Sequence, residues 1–83
     1  MAEIRVTLSR EGQAYIELAG GAPGEVRDSV LLEELEEAES IPALSGIVLD
    51  FDHYGRLVGI EIVHAAETTL PPALIDAAER LDF

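Results

Sequence analysis

Apolar and polar residues alternate at two places near the start of the chain. Ile4, Val6 and Leu8 are interleaved with Arg5, Thr7 and Ser9, and Ala14, Ile16 and Leu18 with Tyr15, Glu17 and Ala19. A period of two predicts strands with one buried face. Between them lies Ser9-Arg10-Glu11-Gly12-Gln13, whose glycine suits a type I turn closed by a left-handed residue. That turn sets Leu8 opposite Ala14, Val6 opposite Ile16 and Ile4 opposite Leu18. The other face then carries Thr7 beside Tyr15, and Arg5 beside the oppositely charged Glu17.

The same device recurs at Asp52-His53-Tyr54-Gly55-Arg56, between Ile47–Phe51 and Arg56–Val63. Its uninterrupted register sets Asp52 against Arg56, Phe51 against Leu57, Asp50 against Val58 and Val48 against Ile60. One face then holds Ile47, Leu49, Phe51, Leu57 and Val63, interrupted by Glu61 and Gly59, and the other Val48, Val58, Ile60 and Ile62. Strands apolar on both faces are expected to be covered on both sides.

Gly20-Gly21-Ala22-Pro23-Gly24 reads as a loop of turn formers. Val26, Asp28 and Val30 suit a short third strand over residues 25–31, followed by a short acidic helix; alternatively, Ser29 caps a helix running through Glu39. Ile41, preceding Pro42, leaves helical geometry. At the C-terminus Pro71-Pro72 opens a helix of about ten residues, with Leu74, Ala77, Ala78 and Leu81 as its apolar stripe. So short a helix must pack on the sheet. The expected fold is α+β: one domain over residues 1–83, with a small antiparallel sheet of two hairpins plus a short additional strand and the C-terminal helix packed on it.

At 83 residues the chain suits a single small domain, with an expected folded surface near ~4,800 Å² against about 12,900 Å² extended. Charge changes the picture more. Seventeen acidic residues face five arginines, for a net charge of −12. Such a surface repels phosphate backbones and anionic headgroups, so neither nucleic acid nor membrane is expected as a partner, and a charged partner should be basic. The absence of cysteine removes disulfides and thiolate chemistry, which fits a reducing cytoplasm. The N-terminus lacks the basic and apolar regions of a signal peptide, and no apolar run approaches the ~20 residues of a membrane span.

Two blocks carry a resemblance: Ala14-Tyr15-Ile16-Glu17-Leu18, and Ile47-Val48-Leu49-Asp50-Phe51-Asp52-His53-Tyr54-Gly55-Arg56-Leu57-Val58-Gly59-Ile60-Glu61-Ile62-Val63. Through them the chain resembles the YuzE-like family of small bacterial proteins of unknown function. It departs from that family between Val30 and Ser45, and again past Glu67. The resemblance implies a compact antiparallel sheet with helical cover and no established activity. Some relatives look like neighbours of small toxin-like proteins, which implies an antitoxin-type binding role.

Candidate chemistry is sparse. Asp50 and Asp52 lie two apart on a strand and point to one side, an arrangement able to hold a hard cation or exchange a proton. The plainer reading has Asp52 capping the turn against Arg56 and Asp50 at the wet end of the sheet. His53 and His64 sit about 26 Å apart along one strand, too far to share a metal within one subunit. Ser9, Ser29, Ser40 and Ser45 have no base at a recognisable offset. Gly59 is expected to make room for a large neighbour such as Phe51. No catalytic, cofactor-binding or metal residue is therefore assigned. The candidate interaction surface is Glu33, Glu34, Glu36, Glu37 and Glu39, where an acidic field would speed the approach of a basic protein. The expected function is a small, acidic, non-enzymatic protein-binding module that forms homodimers and is antitoxin-like toward a basic partner. The alternative is a metal-dependent or carboxylate-based small enzyme using the hairpin over residues 50–64.

Overall fold

Two glycines in the left-handed region turn the chain back on itself. Gly12 has φ +82° and Gly55 φ +78°, and each closes a three-residue hairpin loop. In the first, the Ser9 amide donates to the Gln13 carbonyl at 2.8 Å; in the second, the Asp52 amide donates to the Arg56 carbonyl at 2.9 Å. The computed structural model describes residues 4–18 and 26–81, so the glycine-rich loop at 20–24 lies outside the described residues.

The first hairpin joins β1 (Arg5–Ser9) to β2 (Ala14–Glu17) in the register set by its turn, with Leu8 opposite Ala14, Val6 opposite Ile16, Thr7 opposite Tyr15 and Arg5 opposite Glu17. β3 (Asp28–Leu31) is a four-residue strand paired with β4 (Ile47–Phe51). β4 pairs in turn with β5 (Leu57–Ile62), and β5 lies against β2. A last strand, β6 (Glu79–Leu81), runs parallel to β1. The six strands form one mixed sheet in the order β3-β4-β5-β2-β1-β6.

This overturns the expected small two-hairpin sheet with a C-terminal helix packed on it. The residues after Pro71 form only α2 (Pro72–Ala77), and Ala78 is already extended at φ −68°, ψ 143°. A ten-residue helix ending in Asp76 and Glu79 would be marginal alone and opposed by its own dipole. Pairing Glu79–Leu81 with the edge of β1 satisfies those backbone groups instead. The buried residue of α2 is Ile75, while Leu74, assigned to the expected stripe, stands exposed. The acidic segment is likewise no α-helix. It forms 3-10 turns at Leu32–Glu34 and Glu36–Glu39, separated by an extended Leu35, and a third follows at Pro42–Gly46. Glutamates three and four apart would repel one another along an α-helix.

The second hairpin departs from its simple register at one residue. Phe51 faces Leu57 as the turn requires, but Asp50 then faces Gly59, Leu49 faces Ile60, Val48 faces Glu61 and Ile47 faces Ile62. Val58 is the extra residue of a β-bulge, and every later residue of β5 is displaced by one. Since a one-residue slip exchanges faces, Ile60 and Ile62 join Ile47 and Leu49, while Glu61 moves to the side of Asp50. The hairpin is thus not apolar on both faces; one face is apolar and the other carries its acids.

The apolar face builds the core. Leu8, Ala14 and Ile62 lie under Ala66 of α1 (Ala66–Thr69) and Ile75 of α2, with Ile47, Ile60, Leu70 and Ala78 packed around them. The first hairpin also anchors α1: the Gly12 carbonyl accepts the Ala66 amide at 2.9 Å, with Ala65 held in the left-handed region at φ 54°.

Deleting Val58 would remove the bulge while leaving Phe51 opposite Leu57 and Asp50 opposite Gly59, so Glu61 and Ile62 keep their faces. The deletion is therefore expected to keep a cooperative urea transition, at a lower midpoint because the buried Val58 side chain is lost. Val58→Ala retains the extra residue and is expected to lower the midpoint as well. In an unbroken register the deletion would exchange the faces of Glu61 and Ile62, so a deletion variant with no cooperative transition would contradict the bulge.

Candidate functional site

Cross-strand rows on the sheet's second face bring together residues far apart in sequence. One row runs Ser29, Asp50, Gly59, Glu17, Arg5 across β3, β4, β5, β2 and β1, and the next runs Leu31, Val48, Glu61, Tyr15, Thr7. Glu61 is therefore diagonal to Asp50, within side-chain reach. Tyr15, directly opposite Glu61, leans along its strand until its ring lies over Gly59. A Cβ at Gly59 would fall inside the Tyr15 hydroxyl, so this position requires glycine for space. The large neighbour of Gly59 is thus Tyr15, not Phe51.

Asp50 is only 2% exposed, which contradicts its assignment to the wet end of the sheet. Its Oδ1 accepts a hydrogen bond from the Ser29 hydroxyl at 2.6 Å. A buried carboxylate needs such partners, and Glu61 supplies another. A hydrogen bond with Asp50, reinforced by burial and by the charge on Asp50, holds the Glu61 carboxyl above the usual carboxylate range. Burial first, then the charges of Asp50, Glu61 and Glu17, raises the Tyr15 phenol in the same way. The raised Glu61 carboxyl thus lies beside the buried Asp50, with the Tyr15 phenol over Gly59 next to them. Beside them Thr7, Ser9, Gln13, Tyr15, Glu61 and Val63 line an open groove of about 390 Å³.

The residues singled out by the sequence are not gathered there. Asp52 stays in its turn, where its carboxylate accepts the Tyr54 amide at 2.9 Å and the Arg56 amide at 3.0 Å and pairs with the Arg56 Nε at 2.9 Å. The Arg56 amide above all, with the Tyr54 amide and the Arg56 side chain, holds that carboxyl below its usual range. Arg56 also lies 5.0 Å from the Tyr54 ring centre, and His53 5.1 Å from it, ring to ring. His64 is exposed with its imidazole against Gly46. Among the described residues no three acidic or imidazole groups meet in a set able to hold a metal ion. Glu33, Glu34, Glu36, Glu37 and Glu39 all stand exposed on the 3-10 turns.

Sequence reasoning missed Glu61 and Tyr15. The available signal was a lone glutamate two residues beyond a strand glycine, in a run otherwise apolar from Leu57 to Val63.

The sheet segment that carries the acid pair is also the segment that a family model covers, over residues 13–65. The chain belongs to the DUF2283 family. That family is described as proteins of unknown function. Tyr15, Ser29, Asp50, Gly59 and Glu61 all fall inside the DUF2283 match, whereas β1, α2 and β6 fall outside it. No curated protein and no solved structure matches the chain. Among the described residues no helix is long and apolar enough to cross a membrane.

The acid pair has a measurable signature. Because folding raises Glu61 above its ordinary value of 4.5, the folded state binds this proton more tightly than the unfolded chain. Stability from Glu61 is complete below that value and is lost as pH rises through its folded pKa. Glu61→Gln keeps the shape and removes the titration. Unfolding free energies of variant and parent are therefore expected to diverge in the variant's favour as pH rises above 4.5, then to run parallel. A difference independent of pH would contradict the raised Glu61 carboxyl.

Proposed function

We propose that this chain is a small, acidic, non-enzymatic protein-binding module that self-associates through the uncovered part of its apolar sheet face. One observation carries the reading. α1 and α2 cover only the end of that face around Leu8 and Ile62, while Ile4, Val30 and Leu57 on the same face remain 64%, 47% and 39% exposed. Val6, Ile16, Leu49 and Phe51 between them are only partly buried. Contiguous apolar surface of this kind marks an interaction site. The chain's accessible surface of 5878 Å² exceeds the ~4,800 Å² expected for its mass by about 1,100 Å². A standard interface takes about 800 Å² from each partner.

In this reading the module is a YuzE-like cytoplasmic protein, and the carboxylates outside the dimer interface serve a basic partner in the manner of an antitoxin. The net charge of −12 supports that sign of partner. The enzymatic alternative built on Asp50, Asp52 and a histidine is the weaker reading: Asp50 bonds to Ser29 and Asp52 to Arg56.

Size-exclusion chromatography with light scattering tests the proposal. A dimer is expected at micromolar concentration, and Ile4→Ser with Leu57→Ser is expected to yield a folded monomer. A parent chain that is already monomeric there would overturn it.

A further inference from the structure

The acid pair, the groove beside it and the arginine-stacked turn all belong to the site already described. The opposite feature of the molecule is a strand with an open side. Among the described residues β3 is an edge of the sheet, paired with β4 alone, and all four of its residues are exposed. The Val63 amide donates to the Gly46 carbonyl at 2.8 Å, so Gly46, Val48 and Asp50 turn their backbone groups toward β5, and Ile47, Leu49 and Phe51 turn theirs toward β3. Their partners Asp28 and Val30 thus bond to β4, and Ser29 and Leu31 direct their N–H and C=O groups outward.

Natural sheets usually blunt such an edge by shortness, charge or cover. Here the blunting is one-sided. Asp28 stands at one end, but Val30 and Leu31 are each 47% exposed, on opposite faces of the strand. The chain then passes directly into the turns that carry Glu33, Glu34, Glu36, Glu37 and Glu39, with Leu35 and Ile41 about half exposed among them. None of these five carboxylates has a cationic partner among the described residues, where Arg56–Asp52 is the ion pair found. An open hydrogen-bonding edge with apolar side chains above and below, flanked by unneutralised negative charge, selects one chemistry.

We infer that the β3 edge is the docking site for an extended cationic segment of another protein, which adds to the sheet beside Asp28–Leu31. The inference rests on the protein-binding reading and gives the basic partner its place, separate from the apolar face used for self-association. Backbone bonds to Ser29 and Leu31 supply the pairing, and alternate apolar side chains of the incoming strand cover Val30 and Leu31. Lysines or arginines at its end nearest Leu31 meet the glutamates. Charge disfavours the other occupants. A second copy paired at this edge would bring its own turn glutamates beside these carboxylates, and nucleic acid brings phosphates.

The probe is a short synthetic peptide alternating valine and lysine, with valine and glutamate alternating in its control, titrated into the full chain by heteronuclear NMR. The lysine peptide is expected to move the amide signals of Ser29 and Leu31 most, and to bind more weakly as sodium chloride rises. The glutamate peptide is expected not to bind. Leu31→Pro removes an outward N–H at an edge position whose φ of −85° suits proline, and is expected to weaken binding about tenfold or more, the worth of about 1.4 kcal/mol. Combined Glu33→Gln, Glu34→Gln, Glu36→Gln and Glu37→Gln changes leave every β3 bond in place. They are expected to flatten the salt dependence, so the test stands even where the proline variant does not fold. No binding of the lysine peptide, equal binding of both peptides, or shifts centred on Ile4 and Leu57 would overturn the edge site. Because Ile4→Ser with Leu57→Ser reports only on self-association, the two proposals fail separately.

Discussion

The single extra residue at Val58 governs what this sheet is. Before it, Phe51 and Leu57 face each other as the Gly55 turn dictates; after it, every side chain of β5 has changed sides. Were Val58 paired with Asp50 in an unbroken ladder, Glu61 would share a face with Ile47 and Leu49, and Ile60 and Ile62 would leave the core. Burying a carboxylate among those residues, or exposing two isoleucines worth roughly 1.5–3 kcal/mol each, would cost much of the ~4–12 kcal/mol a domain of this size possesses. With the bulge, one face closes over Leu8 and Ile62, and the other assembles Asp50, Glu61 and Tyr15.

That division also sets where the molecule remains unfinished. The connection from β5 through α1 and α2 to β6 crosses β2 and β1 on the apolar side, so its cover lies over Leu8, Ala14 and Ile62. The farther part of the face, from Ile4 toward Val30 and Leu57, lies beyond those helices. On the polar face the buried Asp50 accepts the Ser29 hydroxyl from the edge strand and lies beside Glu61, whose carboxyl it holds above the usual range. β3 therefore holds the acid pair in place with one side and offers an open backbone edge on the other.

Much of the first hairpin was legible because local chemistry decided it. Gly12 required a positive φ, and strict alternation left one register that buried Leu8 with Ala14. The second hairpin was legible only as far as Phe51 and Leu57. A bulge adds a residue without any change in apolar content, so Val58-Gly59-Ile60 reads as an unbroken strand, and two mixed faces masquerade as two apolar ones. The C-terminal strand was hidden for another reason. Leu74, Ala77 and Ala78 have helical spacing, but only the free edge of β1, a tertiary feature, draws Glu79–Leu81 out of the helix. The acid pair was invisible as long as Glu61 belonged to the wrong face.

The most direct measurement is the set of interstrand proton contacts between β4 and β5 in a nuclear Overhauser spectrum of the labelled protein. The account predicts contacts linking Leu49 with Ile60 and Val48 with Glu61, alongside Phe51 with Leu57. Contacts linking Leu49 with Gly59 and Val48 with Ile60 would show an unbroken register and contradict it.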